Sequence, residues 1–214
     1  QSWVGYSKNQ MECFQMMRLL ETYTKQCTSY KNKLQAEQTL GNPSKLVVKS
    51  LERSLKNNKK ESELIETALL KLVKEDYQAI LTKIETIPSI GRKTAVMLVV
   101  LTDGFTRFES AAQSCSFCGL TPSIRQSGTS INGRSRISKV GNAKLRNLLF
   151  MCSFTAHKHN KGCKAIFDRI TNQGKSKKLA LIAVCNKLLK QAFAIAKSGV
   201  EYNENYKSKL VTNQ

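Results

Sequence analysis

Two stretches and the break between them decide the fold: CFQMMRLLETYTKQCTSYKNKL at residues 13–34, LGNPS at 40–44, and VKSLERSLKNNKKESELIETALLKL at 48–72. In the first, Cys13, Met16, Leu20, Tyr23, Cys27, Tyr30 and Leu34 recur at alternating intervals of three and four. Side chains so spaced line one side of an α-helix, and burying that line requires a second helix. Gly41 and Asn42 favour a helix end, Pro43 cannot continue it, and Ser44 suits the cap of the next helix. A second seam follows in Val48, Leu51, Leu55, Asn58, Ser62, Ile65, Leu69 and Leu72. The short connection predicts an antiparallel coiled-coil hairpin. Asn58 and Ser62 fall mid-seam beside the basic run Lys56 to Lys60, and polar residues there fix register at a cost in stability. This arm reads as a device for spacing or dimerisation.

Downstream of Glu75 the pattern changes to shorter helices punctuated by Gly and Pro. Lys83 to Phe108 reads as helix, turn, helix, with the turn at Ile87-Pro88-Ser89-Ile90-Gly91 and an apolar helix from Lys93 to Leu101. From Leu120 to Gly141 the chain is polar, rich in Gly, Ser and Arg, and too irregular for a helix. Leu145, Leu149, Cys152 and Ala156 mark one further helix, and Leu179 to Ala196 another. The predicted fold is mainly α with little sheet. It comprises a coiled-coil arm at 1–78, a compact helical domain at 79–205 containing a helix-hairpin-helix and a serine loop, and a basic tail at 206–214.

Composition narrows the partners. The 214 residues include 35 Lys and Arg against 15 Asp and Glu, a formal charge of +20. An excess of this size favours a polyanion, with nucleic acid the default. No run of about 18 apolar residues stands out, and no basic segment alternates with apolar residues as membrane-surface helices do, so a membrane partner is not expected. Seven cysteines, an odd number spread through apolar helical segments, point to reduced thiols in a cytosol. The chain opens on Gln1 without an initiator methionine, so a fragment or processed chain is expected.

Two segments carry candidate chemistry. In Ile87-Pro88-Ser89-Ile90-Gly91-Arg92-Lys93, a tight turn ends in Gly and leads into a helix whose first amides are unpaired. Such amides bind a phosphate oxygen, with Gly91 allowing close backbone approach and Arg92 or Lys93 adding charge. The alternative is an ordinary turn in which Gly supplies a positive φ. The second segment is Gly119 to Ser130, followed by the basic set Arg134, Arg136, Lys139, Lys144 and Arg146. A serine hydroxyl attacks only if something accepts its proton and something holds the electrophile's charge. Arg125 and the following basic residues meet the second need. Only His157 and His159 titrate near neutrality, and they lie beyond a predicted helix. By spacing alone Ser127 reads first as a loop hydroxyl that caps a backbone amide.

Other features read as structural. Cys115 and Cys118 form half a zinc-site spacing that His157, His159 and Cys163 would have to complete, and helix packing is the simpler account. Lys177, Lys178, Lys207 and Lys209 read as solvated charge. Phe150, Phe154 and Phe167 read as packing rather than as base-stacking platforms.

The order of motifs resembles a known family. Ile-Pro-Ser-Ile-Gly-Arg-Lys-Thr-Ala from Ile87, Arg107-Phe108, Gly-Leu-Thr-Pro from Gly119, Ser127-Gly128, Ser138-Lys139-Val140-Gly141-Asn142 and Leu145-Arg146 run in one collinear series. It continues through Gly174-Lys175-Ser176-Lys177, Ala183 and Lys187-Leu188 to Ser198-Gly199-Val200. The series is similar to the C-terminal domain of DEDD-type insertion-sequence transposases, the one-ten group that includes pilin-gene invertases. The resemblance implies a DNA recombinase of the bacterial cytoplasm in which a loop serine, here Ser127 with Ser130 as fallback, forms a phosphoserine linkage. It further implies a separate RNase-H-like domain with four acidic residues on divalent metal such as magnesium, a guide (bridge) RNA, and homo-oligomers that involve the coiled coil. Ser89, Gly91, Arg92, Lys93, Arg125, Arg134, Arg136, Lys139, Lys144 and Arg146 are the expected nucleic-acid contacts. The only aspartates are Asp76, Asp103 and Asp168, so no metal or other cofactor is expected on this chain, the acidic domain is expected to precede Gln1, and the chain alone is expected to be inactive. The alternatives are a non-catalytic helix-hairpin-helix DNA-binding module and a structural RNA-binding protein.

Overall fold

The computed structural model describes residues 7–123, 126–127, 131–132 and 136–206. Within them the protein is mainly α-helical and falls into two compact units, Gln1–Asp76 and Tyr77–Gln214.

The first unit is built on α1 (Lys8–Thr39) and most of α2 (Lys45–Glu85). Ser7 caps α1 by accepting from the Gln10 amide at 3.1 Å, which satisfies one of the helix's unpaired donors. Gly41, at φ 79°, turns the chain in the Leu40–Ser44 connection. The helices run antiparallel, because partner numbers fall as α1 advances: Asn9 Nδ2 reaches both carboxylate oxygens of Asp76 at 3.2 and 3.3 Å, and Asn58 Nδ2 reaches Gln26 Oε1 at 2.9 Å. Every residue of both predicted seams is buried or half-buried, whereas Lys56, Asn57, Lys59 and Lys60 between seam positions are exposed. The mid-seam Asn58 thus has a polar partner on the other helix.

The helix does not stop near Glu75, where the sequence pattern changes; α2 continues to Glu85 through a break at Tyr77 (φ −131°, ψ 18°). The Tyr77 hydroxyl donates to Asp103 at 2.5 Å, and the other Asp103 oxygen accepts from Thr106 at 2.9 Å. Asp103 itself is the left-handed C-cap of α3 (Arg92–Thr102), so one side chain ties the start of the second unit to the end of a core helix.

In the second unit α4 (Ala111–Phe117) and α5 (Ala143–His159) are followed by α6 (Lys161–Asn172) and α7 (Lys177–Ser198). Helix α7 is the core element: it packs against α4, α5 and α6, while α3 packs on α5. Among the described residues α7, predicted from Leu179 to Ala196, is the one helix long and apolar enough to cross a bilayer. Its Ala180, Leu181, Val184, Cys185, Leu188, Leu189, Ala192 and Ile195 are buried within the protein. Phe105, fully buried, sets its ring edgewise to Phe193 of α7 and to Phe108, and Phe108 stacks on Phe117. Helix α6 has no counterpart in the sequence expectation. Asn160 ends α5 and caps α6 at once, accepting from the Cys163 amide at 3.1 Å and exchanging amide hydrogen bonds with Gln191 of α7.

Candidate nucleic-acid interface

Two surface features of the second unit assemble the residues singled out above. The first is the turn between α2 and α3. After Glu85 the chain is folded by bonds from the Thr86, Ile87 and Ile90 amides to the Lys83, Ile84 and Ile87 carbonyls, with Ile87 and Ile90 buried beneath. The left-handed residue of this turn is Ser89, at φ 83°. Gly91 sits at φ −77°, ψ 164° and caps α3 without a side chain. Its glycine is therefore not required for a positive φ, and a Cβ there would meet nothing within 4 Å. What Gly91 leaves is an uncovered helix N-terminus with no acidic residue in the first turn.

Ser89 is strained in a second way. Its hydroxyl oxygen is sealed from solvent and has no hydrogen-bond partner. Both conditions are unfavourable, and such conditions concentrate at functional sites. Of the two expected cations, Arg92 is held by Glu85 at 3.0 Å, leaving the exposed Lys93 as the charge that adds to the α3 terminus.

The second feature is the segment from Gly119 to Asn142. As expected it is not helical where described, and its described residues include two short antiparallel strand pairs, together called the ribbon below. β1 (Pro122–Ser123) pairs with β4 (Arg136–Ile137), and β2 (Gln126–Ser127) pairs with β3 (Ile131–Asn132). Below β1 and β4 the ladder continues through the Ser138 amide to Thr121 and the Lys139 amide to Gly119, and the Asn142 amide reaches Phe117. Ser123 adds a rung by donating to the Arg136 carbonyl at 2.9 Å.

The ribbon's base is closed by two glycines. A Cβ on Gly119 (φ 65°) would stand 2.5 Å from the Val140 carbonyl oxygen, and one on Gly141 (φ 124°) 2.2 Å from that of Phe117. Only glycine fits such positions. Asn142 then caps α5 through the Leu145 amide at 3.0 Å, and Arg146 on α5 donates to the Cys118 carbonyl at 2.8 Å, tying the base to the helix. Neither the glycine pair nor this use of Arg146 was foreseen, although Gly141-Asn142 before an apolar helix is a legible cap signal.

The backbone of Ser127 pairs with that of Ile131. Arg136 and Lys139 are exposed on the returning strand, Lys139 at φ 57°, and Lys144 is exposed on the first turn of α5. Arg125, Ser130 and Arg134 lie outside the described residues, as does the Lys207 and Lys209 tail. The described turn residues thus lie at the start of α3, and the described ribbon residues between α4 and α5.

Neither histidine stands near the base of the ribbon. His157 and His159 lie in the last turn of α5, about 20 Å along the helix from its start at 1.5 Å per residue. His157 stacks on Phe167 at 4.5 Å and its Nδ1 lies 3.1 Å from the Ser153 carbonyl. Cys115 and Cys118 are buried. Burial pushes the Cys118 thiol up to about 12, with Cys115 nearby adding to it and Arg146 opposing, and burial likewise raises Cys115. Among the described residues no three His, Cys, Asp or Glu side chains are grouped to hold a metal ion. Of the three aromatics expected to be packing, Phe150 and Phe167 are half-buried but Phe154 is 45 % exposed.

The second unit thus sets a serine-bearing strand pair and an open helix terminus on a strongly basic chain, features that favour a polyanionic partner. Residues 81–168, within the second unit, match the family model described as Transposase IS116/IS110/IS902 family. Curated relatives agree. The chain is 35% identical over 131 residues to a pilin gene-inverting protein of Moraxella lacunata, covering 60% of the chain and 40% of that protein. It is 33% identical over 120 residues to the corresponding protein of Moraxella bovis (56% and 37%). It is also 30% identical over 117 residues to an uncharacterized protein of insertion element IS110 from Streptomyces coelicolor (55% and 29%). The chain therefore spans less than half the length of these relatives.

Proposed function

We propose that this chain is the DNA-binding and serine-nucleophile portion of an insertion-sequence transposase, acting in DNA transposition and site-specific recombination. The observation that carries the reading is the ribbon: a serine in a short antiparallel strand pair, above a base locked by Gly119, Gly141 and Arg146 and followed by exposed Arg136 and Lys139. Relatives whose name is pilin gene-inverting protein support rearrangement of DNA as the outcome.

In this reading the Ser127 oxygen attacks the phosphorus of a phosphodiester. The bond from phosphorus to one bridging oxygen breaks, the serine proton ends on that leaving oxygen, and the enzyme holds the other strand end as a phosphoserine ester. Reversing the step with a different strand end joins DNA without an external energy source. Arg125, Arg134, Arg136 and Lys139 offset charge on the non-bridging oxygens, and Lys144 and Arg146 hold the duplex near the ribbon base. The α3 terminus, through the backbone at Ser89 and Gly91 and the charge of Lys93, with Arg92 beside it on Glu85, grips a phosphate elsewhere on the DNA.

Among the described residues no three His, Cys, Asp or Glu side chains are grouped to hold a metal ion; Asp76 is bonded by Asn9, and Asp103 by Tyr77 and Thr106. Acidic residues for magnesium are assigned to a further domain of the working enzyme. A guide RNA, and homo-oligomers formed through the arm, complete the proposal.

The test is covalent trapping. A protein that joins this chain to an acidic metal-binding domain is incubated with magnesium, guide RNA and element-end DNA, then run on a denaturing gel. A protein–DNA adduct that vanishes with Ser127→Ala while DNA binding persists supports the reading. Loss with Ser130→Ala alone moves the nucleophile, and tight binding without any adduct leaves a non-catalytic helix-hairpin-helix module.

A further inference from the structure

The outward face of α5 is the least expected surface of the second unit. Helix α5 packs against α3, α6 and α7 through Leu145, Leu149, Ser153 and Ala156. On the opposite side Lys144, Asn147, Met151, Phe154 and Lys158 follow one another at helical spacing, and all are exposed. Met151 is 65% and Phe154 45% exposed, a contiguous apolar spot one turn long in the middle of a polar face. The Phe154 ring is not loose: Phe150 meets it edge to face at 5.1 Å and 78°. Lysines mark both ends of the stripe, and α5 contains no Asp or Glu at all.

We infer that this face is a track for an unpaired nucleic-acid strand, with Phe154 as a stacking platform for a base and Met151 as its apolar neighbour. The inference rests on the nucleic-acid reading above and extends it. A flat, immobilised aromatic ring between cations matches what a single strand offers, a base face and flanking phosphates, whereas a duplex hides its base faces in the stack. A second copy of this chain fits poorly, because antiparallel apposition of two α5 faces about a twofold axis sets Lys144 of one against Lys158 of the other. The track begins at Lys144, three residues after Gly141 at the foot of the serine ribbon, so a strand lying on it leads toward the proposed site of cleavage.

The experiment measures binding of the full chain to fluorescently labelled oligo-dT, to oligo-U of equal length, and to a DNA duplex, for the native protein, Phe154→Ala and Phe154→Tyr. Phe154→Ala is expected to weaken both single strands by about tenfold, the loss of one base stack, with duplex affinity unchanged and Phe154→Tyr near native. A loss confined to oligo-dT assigns the track to DNA, and one confined to oligo-U assigns it to RNA. Strands carrying 5-iodouridine should photocrosslink to the α5 peptide that contains Phe154. Unchanged single-strand affinity, an equal loss on duplex, crosslinks lying only outside α5, or a Phe154→Ala change in sedimentation instead of in binding each overturns the inference. A native chain that binds strand and duplex, with Phe154→Ala indifferent, sinks this inference alone. A native chain that binds neither sinks the nucleic-acid reading with it.

Discussion

Glycines 91 and 141 separate two reasons for having no side chain. Gly141 combines φ 124° with a would-be Cβ 2.2 Å from the Phe117 carbonyl oxygen, so Gly141→Ala forces the ribbon base apart. A loss of roughly 2–3 kcal/mol is expected in denaturant unfolding. Gly91 has an ordinary φ and open space around it, so Gly91→Ala should leave stability within about 0.5 kcal/mol yet weaken duplex binding, because the new methyl shields the open α3 terminus. Unaltered binding would mean that the terminus is only a turn.

The thiols give a further residue-scale expectation. Burial pushes Cys118, Cys163 and Cys185 up to about 12 in the folded chain, from an ordinary 9.0. At pH 8 a thiol reagent should label the half-buried Cys27 well before these three, and all seven only after unfolding. Because the unfolded thiols ionise first as pH rises, their contribution to stability is complete below pH 9 and is lost between 9 and 12. Urea midpoints across that range test the sign.

Among elements, the arm was the most legible because its seam obeys a period. Each predicted seam residue is buried or half-buried, and the polar Asn58 is met by Gln26 on the facing helix. Replacing Asn58→Leu is expected to raise the thermal midpoint while loosening register, seen as additional associated species in sedimentation. The helical content of the second unit was legible for the same reason in α3, α5 and α7. Helix α6 was not, because Asn160 serves as the end of one helix and the cap of the next, leaving no loop to mark a boundary. The ribbon escaped because its strands are two residues long, too short for alternation to register; tertiary pairing, not propensity, makes them strands.

For the whole molecule, the proposed nucleic-acid binding would draw more on the formal charge of +20 than on any one contact. If six or more phosphates are engaged, binding should fall by about a thousandfold or more between roughly 50 and 200 mM salt. A flat response would remove the polyanion reading altogether, whatever the outcome at Ser127.

The sequence by itself determined the helical class, the antiparallel arm, the basic character and the likeness to insertion-sequence transposases, because all four are written in local spacing, composition and motif order. Tertiary structure alone decided that Gly119 and Gly141 lock the foot of a ribbon, that Arg146 holds the Cys118 carbonyl, and that Ser89 and not Gly91 bears the strained φ. It alone decided, too, that Phe154 faces outward while its neighbour Phe150 turns half inward. The physical reason is common to all four: each depends on which atoms approach across many residues of chain, and a periodic pattern records only which side of an element is apolar, not what will stand opposite it.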